Sequence, residues 1–184
     1  HYCYLVARTD PDAPKNRGIS EFIIDAKTPG ITIRPTIDIT NSEAWGEVFY
    51  DNVRVHKKYL IGEKNRGFYQ ILNQLDFERA GLERLMGNYA LYTAIIEFTK
   101  KTKRHGKALC EVPGIRSRLA QLGIEFEVGR LLTYRVVQVM EKGVSPNVEA
   151  AMAKCQCTTF EQHLASVATD ILGLFGQLWK ESKW

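Results

Sequence analysis

The apolar pattern of this chain changes period near Gly67. Before that point, short runs rich in Ile, Val, Phe and Tyr alternate at period two. After it, apolar residues recur at steps of three and four. Period two belongs to strands and the three–four step to helices. The order therefore predicts sheet first and helices second, an α+β chain by segments.

The strand-like runs are residues 3–7, 20–26, 31–37 and 44–55, separated by the turn signals DPDAP, TPG and Asp51-Asn52. In ITIRPTIDI the alternation puts Ile31, Ile33, Pro35, Ile37 and Ile39 on one face. That predicts an antiparallel sheet with one face covered. Three helices follow, over about residues 68–101, 113–142 and 145–173, joined by short loops into an antiparallel bundle. Pro113 suits a first helical turn, Gly143 ends the second helix, and Ser145 is the expected N-cap of the third. In the second helix Ile115, Leu119, Leu122 and Phe126 share a face, continued by Leu132, Val136 and Met140. The joint between sheet and bundle falls in HKKYLIGEKNRG, residues 56–67, and the domains are drawn as 1–62 and 63–184.

At 184 residues and 45% hydrophobic, the chain can bury a core without disulfides or metals. No run of about 18 apolar residues reads as a transmembrane helix, and HYCYLVARTD has no signal-peptide pattern. Both ends read as cut, since the chain opens on His1 in an apolar run and stops at Trp184 beside a helical stretch. The expectation is a piece of a larger protein whose bundle exposes apolar surface. Cys3, Cys110, Cys155 and Cys157 form no C-x-x-C pair, which argues against a zinc site and for a reduced intracellular setting.

The net charge of +4 lies wholly in the helical part, because residues 1–60 hold eight Lys/Arg and eight Asp/Glu. Lys100, Lys101, Lys103, Arg104 and Lys107 form a basic cluster. It reads either as a phosphate-meeting patch or as a solvated helix end that complements the dipole. It lacks the interleaved aromatics of a nucleic-acid surface.

One carboxylate stands out. Leu75, Glu78, Leu82, Leu85 and Tyr89 follow a 3-4-3-4 spacing, which places Glu78 in an apolar stripe beside Arg79. Such a group is either paired, with Arg79, Arg84 or a neighbouring helix, or partly desolvated with a raised pKa that suits a general base. His56 and His163 read as surface or packing residues. Trp45 and Trp179 read as core or interface aromatics, and Phe68, Ile71, Leu75 and Tyr89 as core.

Three stretches in this order, RTDPDAPKNRGISEFIIDAKTPGITIRP, VFYDNVRVHKKYLIGEKNRGFYQIL and LDFERAGLERLMGNYALY, resemble the acyl-CoA dehydrogenases. The resemblance spans almost the whole chain. It implies the later strands of a middle β-barrel-like domain followed by most of a C-terminal helical bundle. It also implies an FAD-dependent oxidoreductase that introduces an α,β double bond into an acyl-CoA thioester. A carboxylate takes the α-proton, the flavin accepts a hydride from the β-carbon, and an electron-transferring flavoprotein receives the electrons.

In most members the base lies in a later loop that this chain does not reach. In an isovaleryl-CoA-type subset it occupies the fourth position of LD-x-E-R, which is Glu78 here. Arg79 and Asp76 match positions that meet CoA. The family's FAD-binding R-x-x-F-G reads Thr102-Lys103-Arg104-His105-Gly106, with Thr102 at the arginine position and His105 at the aromatic one. Its second FAD segment reads Gly173-Leu174-Phe175-Gly176-Gln177. Arg104, His105, Phe175 and Gly176 are the expected cofactor contacts. These departures resemble a divergent bacterial branch acting on bulky or unusual acyl-CoAs. The resemblance further implies a homotetramer or heterotetramer, in the bacterial cytoplasm or the mitochondrial matrix. A subunit poor in FAD within a heterotetramer, and an acyl-CoA oxidase, are the alternatives it leaves open.

Overall fold

The computed structural model describes residues 1–79 and 82–178, leaving out the side chains of Leu82 and Arg84. Trp179 and the Arg84 side chain, both singled out above, lie outside the described residues. The chain divides into two units, residues 1–73 and 74–184.

In the first unit, β1 (Tyr2–Arg8) pairs antiparallel with β2 (Ile19–Asp25) along its full length, from Tyr2 opposite Asp25 to Arg8 opposite Ile19. A second, separate ladder joins β3 (Ile31–Thr36) and β4 (Trp45–Tyr50), with Ile33 opposite Val48. The short β5 (Leu60–Ile61) adds to the other edge of β2. The turn before β3 requires Gly30. Its φ is +93°, and a Cβ there would meet the Asp51 carbonyl oxygen at 2.3 Å.

The antiparallel strands are as expected, but the barrel-like description is not. A barrel needs one continuous ladder, and among the described residues the three-stranded and two-stranded sheets share none. Nor is the ITIRPTIDI face covered. The strand stops at Thr36, and Ile33, Ile37 and Ile39 are exposed. Pro35 is accommodated opposite Gly46 in a two-stranded ladder, where its missing N–H leaves no inner bond unmade. Trp45 is 72% exposed in this chain.

The expected first long helix is two helices, α1 (Gly67–Glu78) and α2 (Leu82–Lys101). The sequence between them carries Gly81, and glycine lowers helix propensity by about 1 kcal/mol relative to alanine. After α2 a small hairpin, β6 (Lys103–Arg104) and β7 (Lys107–Ala108), turns through His105 and Gly106, both at positive φ. The basic cluster thus lies partly on a hairpin rather than on a helix end alone.

The remaining helices match their sequence signals closely: α3 (Pro113–Glu141) starts on its proline, and α4 (Asn147–Leu172) ends at Gly173 with φ +61°. Pro146 rather than Ser145 is the N-cap of α4, and no side chain caps it.

The bundle core is built from α2, α3 and α4. Leu85, Leu122, Phe160, Leu164 and Val167 are fully buried together, and Leu119, Phe126 and Cys157 join them. Toward the far end of α3, Val136 and Val139 are buried while Met140 is exposed, so the buried face drifts by one residue. Cys155 is exposed and Cys157 buried, as two faces require. Arg118 pairs with Asp170, and His163 Nδ1 lies 2.8 Å from Glu125 Oε2, both bridging α3 and α4. The outer side of α3 carries a second apolar row, Ile124, Val128 and Leu131, all exposed. No described helix is long and apolar enough to cross a membrane.

Candidate functional site

The last turn of α1 presents Asp76, Glu78 and Arg79 in three different settings. Residues two apart on an α-helix lie about 200° apart around the axis. Asp76 is only 7% exposed, whereas Glu78 is exposed. Arg79, just past the helix, is half-buried, and its N–H donates to the Leu75 carbonyl at 3.0 Å. The side turned into the bundle is therefore that of Asp76.

This corrects the stripe reading. Among the described side chains of the stripe, Leu75 is half-buried, Glu78 and Tyr89 are exposed, and Leu85 is fully buried. The expected stripe runs from α1 into α2, which are separate helices. No hydrogen bond or ion pair to another described residue holds Glu78, so the carboxylate is open to solvent and to a ligand.

Asp76 is held from the other side of the bundle unit. Its Oδ2 accepts the Ser145 hydroxyl at 2.9 Å, with the Asn147 amide nitrogen at 3.5 Å. Ser145 precedes α4 and Asn147 opens it. Sequence reasoning took Ser145 for an ordinary N-cap and did not single out Asn147. No sequence signal joins Asp76 to this loop, 69 residues away.

The cationic hairpin stands at the end of α2. Lys103, Arg104, His105 and Lys107 are exposed, with no carboxylate partner among the described residues. Lys100 is taken by Glu97 at 2.6 Å, which holds the lysine above and the glutamate below their ordinary pKa values. The hairpin can thus offer cations to an anion without breaking an ion pair. Phe175 and Gly176 lie in a short 3₁₀ turn, Gly173–Gln177, after α4. Phe175 is exposed. A Cβ on Gly176 would meet the Thr169 carbonyl oxygen at 3.0 Å, so the turn packs closely on α4. Exposed cations of this kind suit an anionic group such as a diphosphate.

Two grooves accompany these features. One, about 580 Å³ in the helical unit, is lined by Met86, Tyr89, Tyr92, Phe126 and Tyr134 with Arg130 at hand. Burial, then neighbouring Tyr89, pushes the Tyr92 phenol above its ordinary pKa. The other, about 420 Å³ in the strand unit, is polar and includes Arg17, Asn65, Arg66 and Tyr69. The sequence reads Tyr89 and Phe126 as core or apolar-face residues and not as groove lining, because aromatic residues at helical spacing look alike whether they fill a core or line a groove.

The family profile described as acyl-CoA dehydrogenase, C-terminal domain, matches residues 65–183. The chain belongs to this family. It is 32% identical over 166 residues to acyl-CoA dehydrogenase FadE34 of Mycobacterium tuberculosis, a match covering 90% of this chain and 22% of that protein. It is 30% identical over 176 residues to a probable short/branched chain specific acyl-CoA dehydrogenase of Dictyostelium discoideum, covering 94% of this chain and 42% of that one. Among solved structures, an acyl-CoA dehydrogenase from Geobacillus kaustophilus superposes with a TM-score of 0.88 at 26% identity, covering 98% of this chain and 48% of that chain. The chain thus spans less than half the length of these relatives.

Proposed function

We propose that the protein containing this chain is an FAD-dependent acyl-CoA dehydrogenase and that Glu78 is its base. The observation that carries the reading is the Glu78 carboxylate, exposed on the last turn of α1 and unpaired among the described residues, at the base position of LD-x-E-R. An unpaired carboxylate can take the α-proton of a thioester without first giving up an ion pair. Arg79 beside it offers charge-assisted hydrogen bonds to CoA or to the thioester environment. When bound, FAD supplies the acceptor for the hydride leaving the β-carbon. In this reading Lys103, Arg104 and His105 hold its diphosphate, and Phe175 and Gly176 meet its rings or backbone-facing edge.

The same reading takes acyl-CoA as substrate and an electron-transferring flavoprotein as electron acceptor. Residues 1–62 are assigned to the middle β-domain and 63–184 to the helical domain. The exposed apolar row on α3 supports a homotetramer or heterotetramer, since contiguous exposed apolar surface marks an interface. The compartment follows the source, bacterial cytoplasm or mitochondrial matrix. A second reading, a subunit poor in FAD that completes a heterotetramer, is favoured by Thr102 at the arginine position of the FAD segment.

The experiment is Glu78→Gln in the full-length protein. Flavin content and acyl-CoA affinity should be kept, while anaerobic bleaching of the flavin by substrate is lost. Bleaching at the wild-type rate rejects Glu78 as base, and a colourless wild type that still assembles favours the second reading. Oxygen consumption without an added acceptor protein points to an oxidase instead.

A further inference from the structure

We propose that Arg17 and Arg66 form a recognition site for a phosphate monoester, and that its source is the 3′-phosphate of CoA. The site is argued from the strand unit alone, whereas the choice of CoA as source rests on the acyl-CoA reading above.

Both arginines line the polar groove of about 420 Å³ in the strand unit, together with Asn65 and Tyr69. Clefts of this size are in the range that holds small ligands. Both side chains are exposed, and neither has a carboxylate partner among the described residues. Arg66 lies over the Tyr69 ring, 5.2 Å from its centroid, a contact that holds the side chain without giving its donors an oxygen acceptor. Asp10 is the acid on the lining, and its Oδ1 accepts the Asp12 N–H at 3.2 Å. Two cations set against one anion leave the groove positive. Arg66 also directly precedes α1, whose first turn holds no acidic residue, so the helix dipole adds to that potential.

The walls of the groove are fixed by the fold. Arg8 donates to the carbonyls of Lys15 at 3.0 Å, Arg17 at 3.2 Å and Asp10 at 3.3 Å, which pins the loop between β1 and β2. Gly18 closes that loop at φ +73°, where a Cβ would meet the Asp10 carbonyl oxygen at 2.5 Å. On the opposite wall the Thr9 hydroxyl donates to Asn65 Oδ1 at 2.6 Å, and the Asn65 N–H donates to the buried Ser20 hydroxyl at 2.7 Å. The Asn65 amide nitrogen has no hydrogen-bond partner among the described residues, so it remains a donor for a ligand.

These groups select a type of anion. Two guanidinium forks and an amide donor around one groove suit an oxyanion with three terminal oxygens and nearly two charges, which describes a phosphate monoester. CoA carries one such group, at the ribose 3′ position, and its diphosphate is a diester. A thioester held on the phosphopantetheine of a carrier protein has no 3′-phosphate. The site would therefore favour free CoA thioesters over carrier-bound ones.

The test is calorimetric binding of CoA, dephospho-CoA and inorganic phosphate to the full-length protein. The wild type should bind CoA about tenfold or more tightly than dephospho-CoA, in keeping with hydrogen bonds to a charged group. That comparison needs no variant. Arg17→Ala and Arg66→Ala should each remove most of the preference, while dephospho-CoA affinity moves less than about twofold. Arg66→Lys, which keeps the charge without the fork, should retain part of it. Added salt should narrow the preference more in the wild type than in the alanine variants.

Inorganic phosphate binding that both alanine substitutions weaken, with CoA and dephospho-CoA bound alike, upholds the phosphate site and overturns CoA as its source. Equal affinity for the two CoA forms, with phosphate binding absent or unmoved by either substitution, overturns the proposal. Equal weakening of CoA and dephospho-CoA in both alanine variants also overturns it, because the arginines then do not read the 3′-phosphate. Binding needs no base, so these outcomes stand whether or not Glu78→Gln still bleaches the flavin.

Discussion

Gln70 Nε2 donates to Glu21 Oε2 at 2.9 Å, while the other oxygen of that buried carboxylate completes no hydrogen bond among the described residues. Gln70 is otherwise fully used. Its Nε2 also reaches the Ile61 carbonyl at 3.1 Å, and its Oε1 accepts the Glu63 N–H at 2.8 Å. It therefore ties β2, β5 and the turn before α1 together. Gly62 permits this closeness, since a Cβ there would lie 2.4 Å from Gln70 Oε1.

The Glu21 carboxylate is buried between Gln70 and the Tyr4 phenol, and a buried ionic group is often replaced by a neutral isostere at little cost. Glu21→Gln should leave stability within about 1 kcal/mol of the wild type or raise it, whereas Glu21→Ala should cost about 1–3 kcal/mol by stripping Gln70 of a partner. Denaturant midpoints at constant slope measure both. The Tyr4 phenol is pushed above its ordinary value by burial first and by Glu21 second. Its absorbance titration should therefore move down toward the ordinary range in Glu21→Gln. No movement would show that burial alone sets it.

In the helical unit, Gly123 makes room for Tyr92. A Cβ at position 123 would sit 2.7 Å from the Tyr92 hydroxyl oxygen, at the end of a rigid ring packed near Phe126 and Phe160. Gly123→Ala should destabilise by about 1–3 kcal/mol, the usual cost of overpacking. Tyr92→Phe removes the clashing oxygen and should recover much of that loss. A double-mutant cycle on urea unfolding reads the coupling, and simple additivity would refute the close-approach account.

The long elements were legible in the residues because each carried two agreeing signals. Pro113 and a four-residue apolar face place α3, and Gly143 stops it; Gly173 stops α4. Asp51-Asn52 ends β4 sooner than its apolar run suggests, with Asn52 at φ +50°. What stayed hidden depended on phase and on tertiary pairing. Periodicity placed Glu78 in an apolar stripe running from α1 into α2, yet its side chain is exposed. The buried acid proved to be Asp76, and its partner Ser145 is 69 residues away in sequence. Single-sequence pattern has no means to join such residues. The β-segment was legible strand by strand but not as a sheet, because alternation fixes which residues share a face and not what lies over them.

Tyr92 gives the helical unit a definite alkaline response. Its folded pKa is raised, by burial first and then by Tyr89, above the unfolded value. The folded state therefore holds the proton longer than the unfolded state. Stability from this group is fully present below the unfolded tyrosine value near about 10 and is lost as pH rises through the folded value. Unfolding midpoints taken across that window should fall less steeply with pH in Tyr92→Phe than in the wild type. Equal slopes would mean that the Tyr92 hydroxyl titrates alike in both states.

The hairpin cations give the last prediction. Lys103, Arg104 and Lys107 are exposed and lack carboxylate partners among the described residues, so each can be removed without orphaning a neighbour. In the full-length protein, Arg104→Ala should weaken FAD binding by about tenfold, in keeping with about 1.5–3 kcal/mol for a hydrogen bond to a charged group. The affinity of the variant should also depend less steeply on salt, because one screened charge pair is gone. Arg104→Lys keeps the charge but not the two-pronged geometry and should fall between the two. Flavin fluorescence titrations at two ionic strengths measure all three. An Arg104→Ala protein that binds FAD as the wild type does would remove the hairpin arginine from the cofactor site and leave Lys103 or Lys107 to carry the contact.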